Sequence, residues 1–138
     1  MGTSTTFDAK RRNLAAIRDF IETRAAELGA DPDAIYEIMA AVDEAATNVI
    51  IHGYKDQGGP LEVEVEGDAP GEMLIVRLRD QAPPFDPTTL PAPNLSTSLE
   101  DRPLGGMGFH IVRKYTHAVQ YRSLPGGGNE LTLIRRIR

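Results

Sequence analysis

LEVEVEGDAPGEMLIVRLRD, Leu61–Asp80, holds two strand patterns around a turn. In its first half Leu61, Val63 and Val65 alternate with Glu62, Glu64 and Glu66, the two-residue period of a strand with one face on a core and the other in water. In its second half Leu74, Val76 and Leu78 offer side chains to the same core. The link GDAPG is rich in turn formers, so the two halves are predicted to pair as a hairpin. Arg77 and Arg79 then meet the glutamates across the strands, and such exposed pairs contribute roughly 0.2–1 kcal/mol each.

The residues before the hairpin carry a different period. Leu14, Ile17, Ile21 and Leu28 recur at helical spacing, predicting a first helix from about Asp8 to a stop at Gly29. Asp31 and Pro32 open a second as cap and first-turn residue, with Ile35, Ile38, Met39, Val42, Ala46, Val49 and Ile50 as its apolar set and Gly53 as its end. After the hairpin, residues 81–104 lose both periods and hold six of the ten prolines. So long a stretch inside a compact domain reads as a lid or binding loop, or as disorder. GGMGFHIVRKY then regains helical character, with Ile111, Val112 and Tyr115 as its buried stripe. AVQYRS, the turn LPGGGN and ELTLIRRIR form a second hairpin. Hairpin-linked strands with segregated helices predict an α+β fold, a two-layer sandwich, and 138 residues are most economically one domain, 1–138.

Composition narrows the function classes. Fifteen basic against twenty acidic residues give a net charge of −5, the wrong sign for a nucleic-acid footprint. No apolar run approaches the ~20 residues that span a bilayer. The start MGTSTTFDAKRR lacks the apolar segment of a secretory signal, and there is no Cys. These features fit a cytoplasmic protein without disulfides, thiolate metal sites or a Cys nucleophile.

Three places could carry chemistry. In AVDEAATNVIIHGY, Ala41–Tyr54, Glu44 and Asn48 stand one helical turn apart and share a face, since i and i+4 differ by ~40° around the axis. Ala40, Ala41 and Ile51 flank them, so this face is not dressed for water and calls for a cover, from the chain itself or from a ligand. Taken alone the pair is also compatible with an ordinary exposed helix. Asp80 stands where a strand runs out into DQAPPFDP; its carboxylate can accept a hydrogen bond from a ligand amine, or simply form a turn. Gly105, Gly106 and Gly108 precede a helix, where backbone N–H groups can approach an anion. They match neither a Walker A loop nor a dinucleotide fingerprint, and glycines also serve loops that merely need unusual dihedrals. His52, His110 and His117 lack partners at metal-ligand spacing and read as structural. Lys55 reads as an exposed lysine after a helix.

In this order, E-x-x-x-N, then D-x-A-P-P, then a long loop, then G-G-M-G opening a helix resemble the GHKL ATPase family. DEAATNVIIHGY and GGMGFHIV are most similar to its anti-sigma-factor serine kinases, and the resemblance runs from about Asp8 to the C-terminus. It implies the Bergerat fold, a mixed, mostly antiparallel sheet covered on one face by three helices, with residues 81–104 as an ATP lid. It implies ATP and Mg²⁺, with Asn48 as metal ligand, Glu44 as general base and Asp80 reading the adenine amino group. Gly106 and Gly108 let the lid backbone reach the phosphates, and Arg102 contacts a phosphate. It further implies a STAS-domain anti-sigma antagonist as substrate, a sequestered RNA polymerase sigma factor and a homodimer. The rival reading is a binding module that holds ATP without transferring phosphate; a length of 138 residues leaves no room for the phosphoacceptor helices of a sensor kinase. Departures from the pattern are Ala82, Pro83 and Pro84 after Asp80, which stiffen that wall of the pocket, and Asn129 where relatives carry Thr near adenine. TSTTF is expected to form only a stub of the first strand.

Overall fold

The computed structural model describes residues 2–68, 71–89 and 109–138. Five strands form one sheet in the order β1-β2-β3-β5-β4: β1 (Thr3–Asp8), β2 (Pro60–Asp68), β3 (Met73–Asp80), β4 (Ala118–Ser123) and β5 (Asn129–Arg136). The helices are α1 (Leu14–Glu27), α2 (Pro32–Asn48) and α3 (His110–Tyr115). All four strand pairings are antiparallel, so the class is as expected, but the parallel part of a mixed sheet is missing among the described residues.

The strand alternation holds at each position. Leu61, Val63, Val65, Leu74, Val76 and Leu78 are buried and pack with Leu131 and Leu133 of β5 against Ile17 and Ile21 of α1 and Ile38 and Val42 of α2. On the opposite face the charges interlock. Arg79 meets Glu62 and Glu64 at 2.9 Å and Glu130 at 2.7 Å, Arg77 meets Glu66 at 3.2 Å, and Arg122 meets Glu130 at 2.9 Å. Apart from the exposed Arg122 these groups are half-buried, and all are networked, unlike the exposed pairs that the sequence suggested.

Two boundaries differ from expectation. The N-terminal strand is no stub: β1 pairs with β2 over six positions, Thr3 with Val65 through Asp8 with Pro60. The first helix therefore begins at Leu14 rather than Asp8, after a short 3₁₀ turn at Arg11–Asn13. Pairing overrode the helical pattern because Asp8 is tied at both ends, its Oδ1 accepting from the Gly59 N–H and its carbonyl from Asn13 Nδ2. The end of α1 follows its signals: Gly29 takes φ +88°, and the Ala30 N–H reaches back to the Ala25 carbonyl. Asp31 caps α2 by accepting from the Ala34 N–H at 2.8 Å.

Beyond Asn48 the helix widens into a π turn, Val49–Gly53, closed by the Tyr54 N–H on the Val49 carbonyl. Helix α3 is shorter than its pattern suggested, and Ile111 is exposed rather than part of the buried stripe. Its anchor is instead Phe109, fully buried at the helix entrance, together with Val112.

Candidate functional site

The apolar collar around Glu44 and Asn48 is covered, and the cover is partly the chain itself. Ala41 is fully buried and Asn48 is only 3% exposed. Helix α3 lies across α2 here, and the Val112 N–H donates to Glu44 Oε1 at 2.9 Å. Glu44 thus satisfies a donor in the first turn of a helix 68 residues further on. Burial pushes its carboxyl above the ordinary range, opposed by the Val112 and Ile111 amides and by the nearby His110 and Arg113 charges. A half-buried carboxylate with its affinity for protons raised is suited to accept one.

Asn48 is less completely satisfied. Its Nδ2 is buried and has no hydrogen-bond partner among the described residues. A buried unpaired amide costs on the order of 1–3 kcal/mol, so its persistence calls for a reason. The two ends of a carboxamide are nearly the same shape, and turning the group over puts its oxygen where a hard cation could be held. The residue therefore fits the magnesium role that the resemblance implies. Among the described residues no cluster of three or more His, Asp or Glu side chains offers a different metal centre.

One turn along, α2 borders a slot against the sheet. Ala45, Val49 and Gly53 line one side, Leu78 and Leu131 the floor, and Phe85, Pro87 and Tyr121 the rest, with Asp80 and Asn129 as its polar end. The cavity is about 20 Å³, room for one water, so a purine ring enters only if the slot widens. Asp80 is 6% exposed at the end of β3; its Oδ1 accepts from Asn129 Nδ2 at 2.8 Å and from the Ala82 N–H at 2.9 Å. Burial raises its pKa, against those two donors. A larger open groove of about 500 Å³ lies beyond the strand ends, between Thr6, Glu62, Arg79 and the Leu124–Gly127 turn. Its charged walls already pair with each other, which leaves less chemistry there than in the slot.

The structure thus brings Glu44, Asn48, Asp80 and Asn129 to one side of the sheet, around a single length of α2. Arg102, Gly106 and Gly108 lie outside the described residues, as does most of 81–104. The segments that flank 90–108 are tied together: Arg113 Nη2 donates to the Thr88 carbonyl at 2.6 Å and its guanidinium lies 5.9 Å from the centre of the Phe109 ring. His52 faces Phe85, their rings 5.8 Å apart. Sequence reasoning missed Tyr121, whose hydroxyl donates to Asn129 Oδ1 at 2.5 Å, and the backbone partner of Glu44. It also missed Tyr54, which accepts from the Gln81 N–H at 2.7 Å and donates to the Pro60 carbonyl at 2.6 Å, joining the end of the π turn to β2 and β3. No local pattern announces these, because each depends on strands or helices brought together by the fold.

Known proteins are similar to this chain. A family model described as histidine kinase-like ATPase domain matches residues 7–135. The anti-sigma F factor of Clostridium beijerinckii is 29% identical over 133 residues, 96% of this chain and 92% of that protein. Serine/threonine-protein kinase BtrW of Bordetella bronchiseptica is 29% identical over 98 residues, 71% of this chain and 68% of its own. A crystal structure of RsbU and RsbW domains from Mycobacterium tuberculosis superposes with a TM-score of 0.68 at 20% identity, over 99% of this chain and 32% of that longer one. That likeness establishes the fold.

Proposed function

Because the chain belongs to the histidine kinase-like ATPase domain family, we propose that it is an ATP-dependent protein serine kinase that also acts as an anti-sigma factor. Its substrate is a STAS-domain anti-sigma antagonist, and its second partner is an RNA polymerase sigma factor. The names of its relatives, anti-sigma F factor and serine/threonine-protein kinase, support both halves of this reading. In the working form it is a cytoplasmic homodimer of single-domain chains, 1–138, acting on protein partners and not on nucleic acid. Among the described residues no helix is long and apolar enough to cross a membrane.

The chemistry divides among the chain's own groups. Asp80 accepts the adenine 6-amino hydrogen at the polar end of the slot, which it shares with Asn129. Asn48 would hold Mg²⁺ through its carboxamide oxygen, and the ion would supply positive charge to offset that of the phosphates. Glu44 takes the proton of the acceptor serine as the serine oxygen attacks the γ-phosphorus and ADP departs. Residues 81–104 serve as the lid over the nucleotide, with Arg102 and the backbone at Gly106 and Gly108 on its phosphates.

One observation carries this reading: an asparagine amide, buried and unpaired, one helical turn from a carboxylate whose proton affinity is raised. A second reading has a specific observation in its favour. Glu44 already holds the Val112 N–H, so a protein that binds nucleotide without transferring phosphate has its own reason to keep this carboxylate. Incubation with γ-labelled ATP, magnesium and the cognate STAS protein separates the two. The kinase labels a serine of the antagonist, and Glu44→Gln keeps nucleotide affinity while transfer falls by about a hundredfold or more, the range for losing a general base. Binding of nucleotide and antagonist by the unaltered protein with no label transferred establishes the binding module instead.

A further inference from the structure

We propose that Asn129 and Tyr121 are positioning residues that set base selectivity, holding the Asp80 carboxylate in the orientation that accepts a 6-amino group, with Asn129 itself making no hydrogen bond to the base. This inference rests on the nucleotide reading above and deepens it.

Asn129 is 6% exposed at the first position of β5, directly opposite Asp80 in the register. Its Nδ2 faces three oxygens, Asp80 Oδ1 at 2.8 Å, the Pro83 carbonyl at 3.2 Å and the Ala82 carbonyl at 3.3 Å. Two amide hydrogens cannot serve more than these. Its Oδ1 accepts from the Phe85 N–H at 3.0 Å and from the Tyr121 hydroxyl at 2.5 Å, which uses both lone pairs. The side chain therefore has nothing left for a ligand.

The same contacts fix which way the amide faces. The Phe85 N–H can only donate and the Ala82 and Pro83 carbonyls can only accept, so turning the amide over would set donor against donor and acceptor against acceptor. Tyr121, whose hydroxyl can donate or accept, does not choose the orientation but holds the oxygen so placed. It sits on β4 opposite Leu131, two positions along from Asn129, a diagonal that a long side chain can span. The consequence falls on Asp80. Oδ1 is taken by Asn129 and by the Ala82 N–H, while Oδ2 takes no donor among the described residues. A carboxylate pinned through one oxygen presents the other in a set direction, and an exocyclic amine is a donor that fits it. The Ala82–Phe85 wall is fastened by the same amide, so the shape of the slot and the direction of its acceptor are linked.

The test measures binding of ADP and of purine-riboside diphosphate, which has hydrogen in place of the 6-amino group, by calorimetry in magnesium. The unaltered protein is expected to prefer ADP by about tenfold or more, the range for a hydrogen bond to a charged group. Asn129→Ala brings the two affinities close to parity. Tyr121→Phe, which removes one oxygen atom and leaves the ring, lowers the preference part-way and decides the matter if Asn129→Ala fails to fold. Preference retained in folded variants, or equal loss of affinity for both nucleotides, overturns the inference. Absence of any preference in the unaltered protein overturns the adenine reading itself, and with it this inference.

Discussion

Glu44 serves the fold at a cost to stability, and the proposed chemistry draws on the same carboxylate. Its Oε1 satisfies a helix-start amide, yet burial raises the pKa of the carboxyl. The native state therefore holds this proton more tightly than the unfolded chain does. The favourable contribution of the protonated form is complete below the unfolded pKa, about 4.3 for Glu, and is lost as pH rises through the higher folded value. At neutral pH the ionised group works against the fold. Glu44→Gln keeps an oxygen for the Val112 N–H and removes the charge, so it should melt above the unaltered protein at pH 7. The gap should close as melts are repeated at falling pH below the ordinary carboxylate range. A variant that melts lower at neutral pH would show that attraction to Arg113 and His110 outweighs burial. The i, i+4 relation of Glu44 and Asn48 was readable from spacing; the donor on Glu44 was not, because it comes from 68 residues away.

Among the elements, the β4–β5 hairpin does most to build the polar end of the slot. Its turn carries three consecutive glycines with positive φ, and at Gly128, φ +100°, an added Cβ would lie 2.2 Å from the Asp80 carbonyl oxygen. The obstacle is backbone, which cannot swing aside. Gly128→Ala is expected to cost about 2 kcal/mol or more, combining strain at positive φ with the clash. Urea denaturation reads the first effect and weakened ADP binding the second, since Asp80 must shift. Unchanged values for both would show that the turn relaxes without moving β3. LPGGGN marked this turn in the sequence, but not how closely it would approach the neighbouring strand. Element boundaries were legible wherever local signals agreed, as at Gly29 and Asp31. They were misjudged at β1, where residues that suit a helix start were claimed by pairing with β2.

For the whole molecule, the proposed placing of nucleotide in the slot between α2 and the sheet would couple binding to folding. The unfolded chain has no such slot, so nucleotide binds the native state alone and raises its stability. Saturation at a hundred times the dissociation constant adds about 2.7 kcal/mol. Mg·ADP should raise the melting temperature, and removal of the metal with EDTA should lower that rise. Asn48→Ala should abolish the difference between the two conditions. The amide nitrogen that it deletes leaves no partner behind among the described residues. If the variant still distinguishes Mg·ADP from ADP as the unaltered protein does, Asn48 does not hold the metal. The outer face of the sheet is a second property of the assembled molecule. Arg79 joins carboxylates from β2 and β5, so its ion pairs span three strands.

The sequence alone determined the layers: alternation settled which face of β2 and β3 is buried, helical spacing settled the stripe of α2, and caps and glycines settled several ends. Each of these is local, because a side chain's direction follows from backbone geometry over a few residues. Only the tertiary structure decided what Glu44 and Asp80 touch, that the Asn48 amide is buried without a partner, and that Asn129 is spent inside the protein. Those outcomes depend on helices and strands whose partners lie 49 and 68 residues apart in the chain. Hydrogen-bond satisfaction and desolvation are properties of the packed whole, and no short stretch of sequence contains them.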